Sequence, residues 1–448
     1  MPKTIPLIAI PDGALDEAPL GESQKRWAQA NDFSGKLGAL LALPDAAGGI
    51  GAYAFGAGTP GERSALFTGL ATAKLPAGDY RLEGDYGDPT FAGLGFALGA
   101  YRFDRYAKGK DAPRLALPEG ADGEEIALQT EAVFTTRDLI NIPANDLGPD
   151  AFEAAIRVLA DRLGMAMNVV AGDELLAQNF PMIHAVGRAS AEAPRLVELV
   201  WGQEADPKVT LVGKGVTFDT GGLNIKPGSS MALMKKDMGG AANVLGLAQA
   251  IVSARLKLRL RVLIPIVENA ISGASFRPGD VLPSRKGLTV EIGNTDAEGR
   301  LILADALAYA DEDSPDLVID MATLTGAARV ALGPDLPPLY ARDVALSRQL
   351  MTVGLQIDDP LWRMPLWSNY ESLLKSKIAD VSHISSGSLA GSITAALFLQ
   401  RFVAPATNWM HLDIFAWAPE PRPGRPFGGT DQGLRALHAV LKTRYGAR

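Results

Sequence analysis

From Val209 onward, short runs of branched apolar residues alternate with stretches of helical periodicity. Residues 209–212 read as a buried strand, 241–256 as a helix and 258–267 as a strand rich in Val, Ile and Leu. Residues 288–292 read as another strand, followed by a helix at 301–310, a strand at 317–321 and a further strand at 409–417. Strands alternating with helices of this length predict an α/β fold: a mostly parallel sheet flanked by helices. Such sheets keep their ligands beyond the carboxyl ends of the strands.

The first 110 residues have a different texture, with short apolar runs punctuated by Gly and Pro. Residues 108–123, polar and rich in Pro and Gly, read as a connector. A helical stripe follows from Glu124 and stops at Asn141-Ile142-Pro143, because proline disfavours helix in the residue before it. Asp150 is then expected to cap a second helix over 151–163. The expectation is two domains: a smaller N-terminal α/β domain over 1–125, with an oligomerisation or regulatory role, and a larger catalytic domain over 126–448.

Composition narrows the chemistry. The chain has 448 residues, four histidines and no cysteine. Disulfides, thiol nucleophiles and every Cys-based zinc site are excluded, so a metal site here must be mostly carboxylate. The net charge of -8 argues against nucleic acid as a general partner. The opening MPKTIPLIAIPDG lacks the apolar run of a secretory signal. The nearest candidate for a membrane span, 37–58, is broken by Pro44 and Asp45. A cytoplasmic protein without membrane contact is expected.

Two candidate sites stand out. Gly56, Gly58 and Gly61 form a G-x-G-x-x-G pattern after the apolar run 52–55, with Asp79, Glu83 and Asp85 downstream. That is a fingerprint for dinucleotide phosphates, but a weak one in a glycine-rich chain, and Pro60 removes one amide from the cradle; a plain turn is the favoured reading. The second candidate is sharper. Strand 209–212 runs into Lys214 and Asp219, with Lys226 beyond; Asp237 lies just before the helix at 241; Asp296, Glu298 and Arg300 follow strand 288–292. Asp296, Glu298 and Arg300 are spaced by two, so an extended segment would put all three on one side. Neighbouring carboxylates repel unless a cation neutralises them. Four carboxylates balance two divalent cations, which suits a two-metal site with oxygen ligands.

These segments closely resemble the leucine aminopeptidase (cytosol aminopeptidase) family of dinuclear metallopeptidases. VGKGVTFDTGGLNIKP, MKKDMGGAANVLG and NTDAEGRLILADAL are similar to its signature stretches, and the resemblance extends over roughly residues 126–445. It implies an aminopeptidase that releases Leu-like N-terminal residues from short peptides with a free N-terminus. It implies two divalent ions, Mn or Zn first and Mg or Co also admitted. Asp219 and Glu298 would bridge both metals, Asp296 would complete the first, and Lys214 and Asp237 the second. Lys226 would stabilise the oxyanion. Arg300 would hold a bicarbonate ion acting as general base. Met234, Thr323 and Gly326 would line the pocket for the first side chain. A homohexamer with an interior cavity is also implied.

Rival readings have less behind them. A DNA-binding regulator on the same fold would need a basic stripe, yet residues 1–120 hold 12 Lys/Arg against 14 Asp/Glu. A dinucleotide-binding enzyme would rest on Gly56–Gly61 alone. His184, His383, His411 and His438 are not expected to be ligands, and His411 is expected to be a hydrogen-bonded core residue. Trp362 and Trp367 read as packing on a loop. Met231 and Met238 read as core filler.

Overall fold

A computed structural model describes residues 4–109 and 111–447. The chain forms two compact units. One runs to Phe134 and adds Gln356–Asp358 and Ala418–Gly428; the other holds Thr135–Leu355, Asp359–Trp417 and the chain from Gly429 on. The units part inside one continuous helix, Gly123–Asn141.

The first unit carries a five-stranded sheet among the described residues, in the order Leu40–Pro44, Ile50–Gly58, Ile5–Pro11, Asp79–Glu83, Arg114–Leu115. Only the first pair is antiparallel. Its core is aromatic: the rings of Phe55, Phe67 and Tyr86 stack with centres 5.8 to 6.4 Å apart. The glycine triplet is corrected here. Gly56 and Gly58 lie inside strand Ile50–Gly58, and their amides donate to Ala39 O and Gly35 O at 2.8 and 3.0 Å. Amides spent on the chain's own backbone cannot cradle a phosphate, so Gly56 and Gly58 are strand rather than cofactor loop, while Gly61 lies in the turn that follows, closed by the Glu62 amide on the Thr59 carbonyl at 3.0 Å. The connector at 108–123 contributes an edge strand, Arg114–Leu115.

The second unit is built on a mixed sheet. Its order is Trp362–Arg363, Pro338–Ala341, Trp409–Asp413, Leu317–Ala322, Lys208–Gly213, Arg259–Asn269, Arg195–Trp201, Ala166–Ala171, with Gly215–Asp219 also pairing to Arg259–Asn269. The central four strands are parallel. All six residues of Leu317–Ala322 are buried, five of them apolar as a sheet covered on both faces requires and the sixth, Asp320, paired with His411 and Trp409. Helices Gly239–Ser253 and Gly299–Asp311 pack on these central strands.

Several local expectations change. The strand expected at 288–292 is Thr289–Glu291, and it belongs to a separate small sheet with Val281–Pro283 and Val381–Ser382. Asp150 does not cap its helix: the helix is Pro149–Leu163 with Gly148 at the cap, and the Glu192 carboxylate accepts the Asp150 amide at 2.7 Å. The strand at 409–417 ends at Asp413, and Ala416 takes a left-handed φ of 57°. Trp362 and Trp367 are 45% and 52% exposed rather than packed, the former on an edge strand. Among the described residues no helix is long and apolar enough to cross a membrane; the stretch at 37–58 is a β-hairpin.

Candidate active site

Strand Lys208–Gly213 delivers Lys214, whose backbone is pinned by the Met321 carbonyl (3.1 Å) and the Ala241 amide (2.9 Å). Strand Gly215–Asp219 ends on Asp219. Gly221 and Gly222 then reverse the chain with φ of 88° and 61°, a region open to glycine, and carry it to Lys226. A 3-10 turn, Met234–Met238, presents Asp237 just ahead of helix Gly239–Ser253.

The segment 296–300 is not extended. Asn294 Oδ1 accepts the Asp296 amide at 2.9 Å and winds Thr295–Ala297 into a 3-10 turn that runs into helix Gly299–Asp311. Asp296 and Glu298 therefore converge across a helical turn. Arg300, inside the first turn of that helix, donates instead to the His383 carbonyl at 2.7 Å. Gly299 leaves room for a neighbour, since a Cβ there would stand 2.5 Å from Lys214 Cε.

Carboxylate oxygens of Asp219, Asp296 and Glu298 lie within 4.8 Å of one another. Lys214 Nζ sits 2.7 Å from Asp237 Oδ2 and 2.9 Å from Glu298 Oε1. Lys226 Nζ sits 2.8 Å from Asp219 Oδ2 and 2.5 Å from Asp296 Oδ1. Burial pushes the Asp219 carboxyl well above the usual range, and Glu298 and Asp237 push the same way. Asp237 is likewise raised by burial. At Glu298 burial is outweighed by Lys214 and Lys226, and the group is held below its ordinary value. Burial would lower the Lys214 ammonium, but Asp237, Glu298 and Asp219 overcome it and raise it.

Four buried or half-buried carboxylates thus face two ammonium groups, leaving two negative charges in excess. Asp237 Oδ2, Asp296 Oδ1 and Glu298 Oε1 are buried and touch a lysine without a properly directed hydrogen bond. Oxygens with lone pairs to spare, crowded and negative, fit divalent cations. Arg300 Nε is also a buried donor without a partner, which fits an oxyanion. None of the histidines joins the cluster. His411 is a core residue as expected, its Nδ1 2.5 Å from Asp320 Oδ1 while Trp409 donates to the other oxygen. Met238 is core. Met234, Thr323 and Gly326 line a cavity of about 510 Å3 together with Lys214, Asp219, Lys226, Asp237 and Asp296.

Four residues have supporting contacts that the sequence did not reveal. Asn269, at the end of strand Arg259–Asn269, donates through Nδ2 to Asp219 Oδ1 (2.8 Å) and Thr295 O (3.1 Å). Thr295 Oγ1 donates to Gly221 O at 2.6 Å, closing the turn before Lys226 onto the turn that bears Asp296. Thr323, expected only as a pocket wall, also donates to the Asp237 carboxylate at 2.8 Å. The His383 ring contacts Asn294 O at 2.9 Å and the Gly293 amide at 3.1 Å; burial and the Arg300 charge push it down to about 4, so it stays neutral. The one available signal was the polar pair Glu268-Asn269 directly after the apolar run 262–267. Groups that orient a ligand carboxylate typically control metal affinity by 10–100-fold. Asn269→Ala is expected to weaken metal binding by a factor of roughly 10–100, read by metal titration; unchanged affinity would remove Asn269 from this role.

Comparison with known proteins decides the family. Residues 134–438 match the family model described as Cytosol aminopeptidase family, catalytic domain, and residues 6–118 match that of the M17 aminopeptidase N-terminal domain. The chain belongs to the cytosol aminopeptidase family. It is 38% identical to a probable cytosol aminopeptidase of Syntrophotalea carbinolica, over 98% of this chain and 94% of the relative. The crystal structure of cytosol aminopeptidase from Coxiella burnetii is similar with a TM-score of 0.93 and 43% identity, covering 99% of this chain and 98% of that one. The bottromycin maturation enzyme BotP in complex with Mn is similar with a TM-score of 0.90 and 36% identity, covering 98% and 99%.

As a member of the cytosol aminopeptidase family, this chain is a metal-dependent aminopeptidase of the hydrolase class, with the smaller N-terminal and larger catalytic domains of the family.

Proposed function

We propose that this chain releases Leu-like N-terminal residues from short peptides at a two-metal site formed by Asp219, Glu298, Asp296, Asp237 and Lys214. The observation that carries this reading is the convergence of four carboxylates and two lysines, all but the buried Glu298 lining a cavity wide enough for a side chain. Asp219 and Glu298 would bridge the two ions, Asp296 would complete the first, and Lys214 with Asp237 the second. Mn or Zn are the first candidates, with Mg or Co admitted by an oxygen-rich site. When bound, two such ions supply a nucleophilic water at neutral pH and polarise the scissile carbonyl.

The chain's own groups do the rest. Lys214 must give up its proton to offer a lone pair, which requires a cation to take over the charge that Asp237 and Glu298 now balance with the ammonium. Lys226 keeps its proton, because Asp219 and Asp296 grip it on one side while the cavity opens on the other. It would donate to a developing oxyanion. Arg300, with a buried donor to spare, would hold a bicarbonate ion that would supply the general base. Met234, Thr323 and Gly326 would receive the first side chain.

If the free N-terminal amine is a recognition element, a peptide such as Leu-Ala-Ala is expected to be cleaved and its N-acetyl form left intact. Comparable cleavage of both, followed by chromatography of the products, would show an endopeptidase. A homohexamer enclosing the active sites would explain a restriction to short peptides. Sedimentation of the active protein should then give six times the 47.2 kDa chain, and a monomer at micromolar concentration would remove that explanation. A cytoplasmic location completes the proposal.

A further inference from the structure

The cavity wall holds a third lysine that the metal centre does not use. Lys236 is 4% exposed, its side chain lines the cavity, and its Nζ stands 4.6 Å from the centre of the Phe415 ring. Among the described residues its ammonium makes no hydrogen bond and no ion pair, although its backbone amide donates to the Leu233 carbonyl at 3.1 Å. Its neighbours differ. Lys214 and Lys226 each touch two carboxylates. Lys235 donates to the Asn141 carbonyl at 2.6 Å. The nearest acid in sequence, Asp237, is already engaged by Lys214 and Thr323.

A second cation lies close by. Arg329, on helix Gly326–Leu332, places its guanidinium 5.1 Å from the same Phe415 ring and lines the same cavity. A ring face attracts cations but does not replace a hydrogen-bond acceptor, and buried charges are ordinarily paired. Met234, Thr323 and Gly326 share this wall. Gly326 stands one helical turn before Arg329 with open space where a Cβ would be, so the way inward is clear. The Thr323 hydroxyl, which donates to the Asp237 carboxylate, also stands 3.0 Å from the Asp237 backbone carbonyl and so fastens the turn bearing Lys236 to the wall.

We propose that the cavity admits an acidic first residue, with the methylenes of a glutamyl side chain against Met234 and Phe415 and its carboxylate on Lys236, aided by Arg329. The inference rests on the aminopeptidase reading and names a substrate class for it. Leu-like residues use the apolar part of the same wall. A glutamyl residue in addition supplies the acceptor that Lys236 lacks.

The test compares Glu-Ala-Ala, its neutral isostere Gln-Ala-Ala, and Leu-Ala-Ala on the metal-loaded enzyme. A charge-assisted hydrogen bond corresponds to a factor on the order of 10–100. The kcat/KM for the glutamyl peptide should exceed that for the glutaminyl peptide by such a factor. Lys236→Met should collapse the ratio towards one, and Arg329→Met should lower it by less. Calorimetric titration of free L-glutamate against L-glutamine on the same enzyme should show the same order of affinities without turnover. Cleavage of the leucyl peptide with no preference for Glu over Gln would overturn the acidic pocket and leave the aminopeptidase reading intact. Failure to cleave all three would sink both. Should Lys236→Met not fold, the wild-type ratio and Arg329→Met still decide.

Discussion

Lys226→Ala is expected to lower kcat by a factor on the order of 10²–10³, the usual loss when one oxyanion donor is removed, while both metal ions stay bound. Lys214→Ala should behave differently. It removes one of the groups assigned to the second metal, so affinity for that ion should fall and excess metal should partly restore activity. Geometry separates the two lysines. Lys214 is 4% exposed along its side chain and enclosed by Asp237, Glu298 and the Thr323 carbonyl. Lys226, at 13%, meets Asp219 and Asp296 from the cavity side. Metal titration of both variants, read beside kcat, distinguishes the roles. A Lys226→Ala protein that loses metal, or a Lys214→Ala protein with full metal and normal kinetics, would reverse or discard them.

Asp431→Leu is expected to destabilise the catalytic unit by about 3–5 kcal/mol, the usual cost of removing one partner from a buried ion pair. Arg137 and Asp431 meet at 3.0 Å with neither side chain exposed, and Arg435, 2% exposed, reaches the other carboxylate oxygen at 3.3 Å. Leucine would leave two buried guanidinium groups without the carboxylate that compensates them. Asp431→Asn keeps an acceptor oxygen and should cost less. Denaturant unfolding followed by fluorescence gives both differences. A loss under about 1 kcal/mol, the range of exposed pairs, would mean that other groups carry the compensation.

Much of the architecture was legible in the chain. The α/β class followed from the alternation of branched runs and helical stretches. The positions of Lys214 at the end of a strand and of Asp237 ahead of a helix followed from the same pattern, because periodicity reports burial within a single element; the short strand Gly215–Asp219 that ends on Asp219 did not. The family resemblance rested on contiguous signatures, which are local in the same sense.

What hydrophobic periodicity could not determine was the turn chemistry of short polar segments and the partner each segment would take. The alternation of Asp296, Glu298 and Arg300 suggested an extended segment, yet an Asn294 side chain bonded to the Asp296 amide winds it into a helical turn. Strand Thr289–Glu291 looked like part of the main sheet and instead pairs with Val281–Pro283 and Val381–Ser382. Gly56 and Gly58 had the spacing of a cofactor loop, but their amides are committed to a neighbouring segment.

The sequence by itself determined which groups are acids, which are lysines, and that several of them close a strand or precede a helix. Only the tertiary structure decided that Asp219 and Asp296, far apart in the chain, share one ammonium, that Asn269 holds the first of them, and that Lys236 lines the cavity without a carboxylate. The physical reason is that hydrophobic burial is encoded residue by residue within each element. The pairing of buried charges depends instead on which strand ends and helix starts the crossovers bring within a few ångströms of each other.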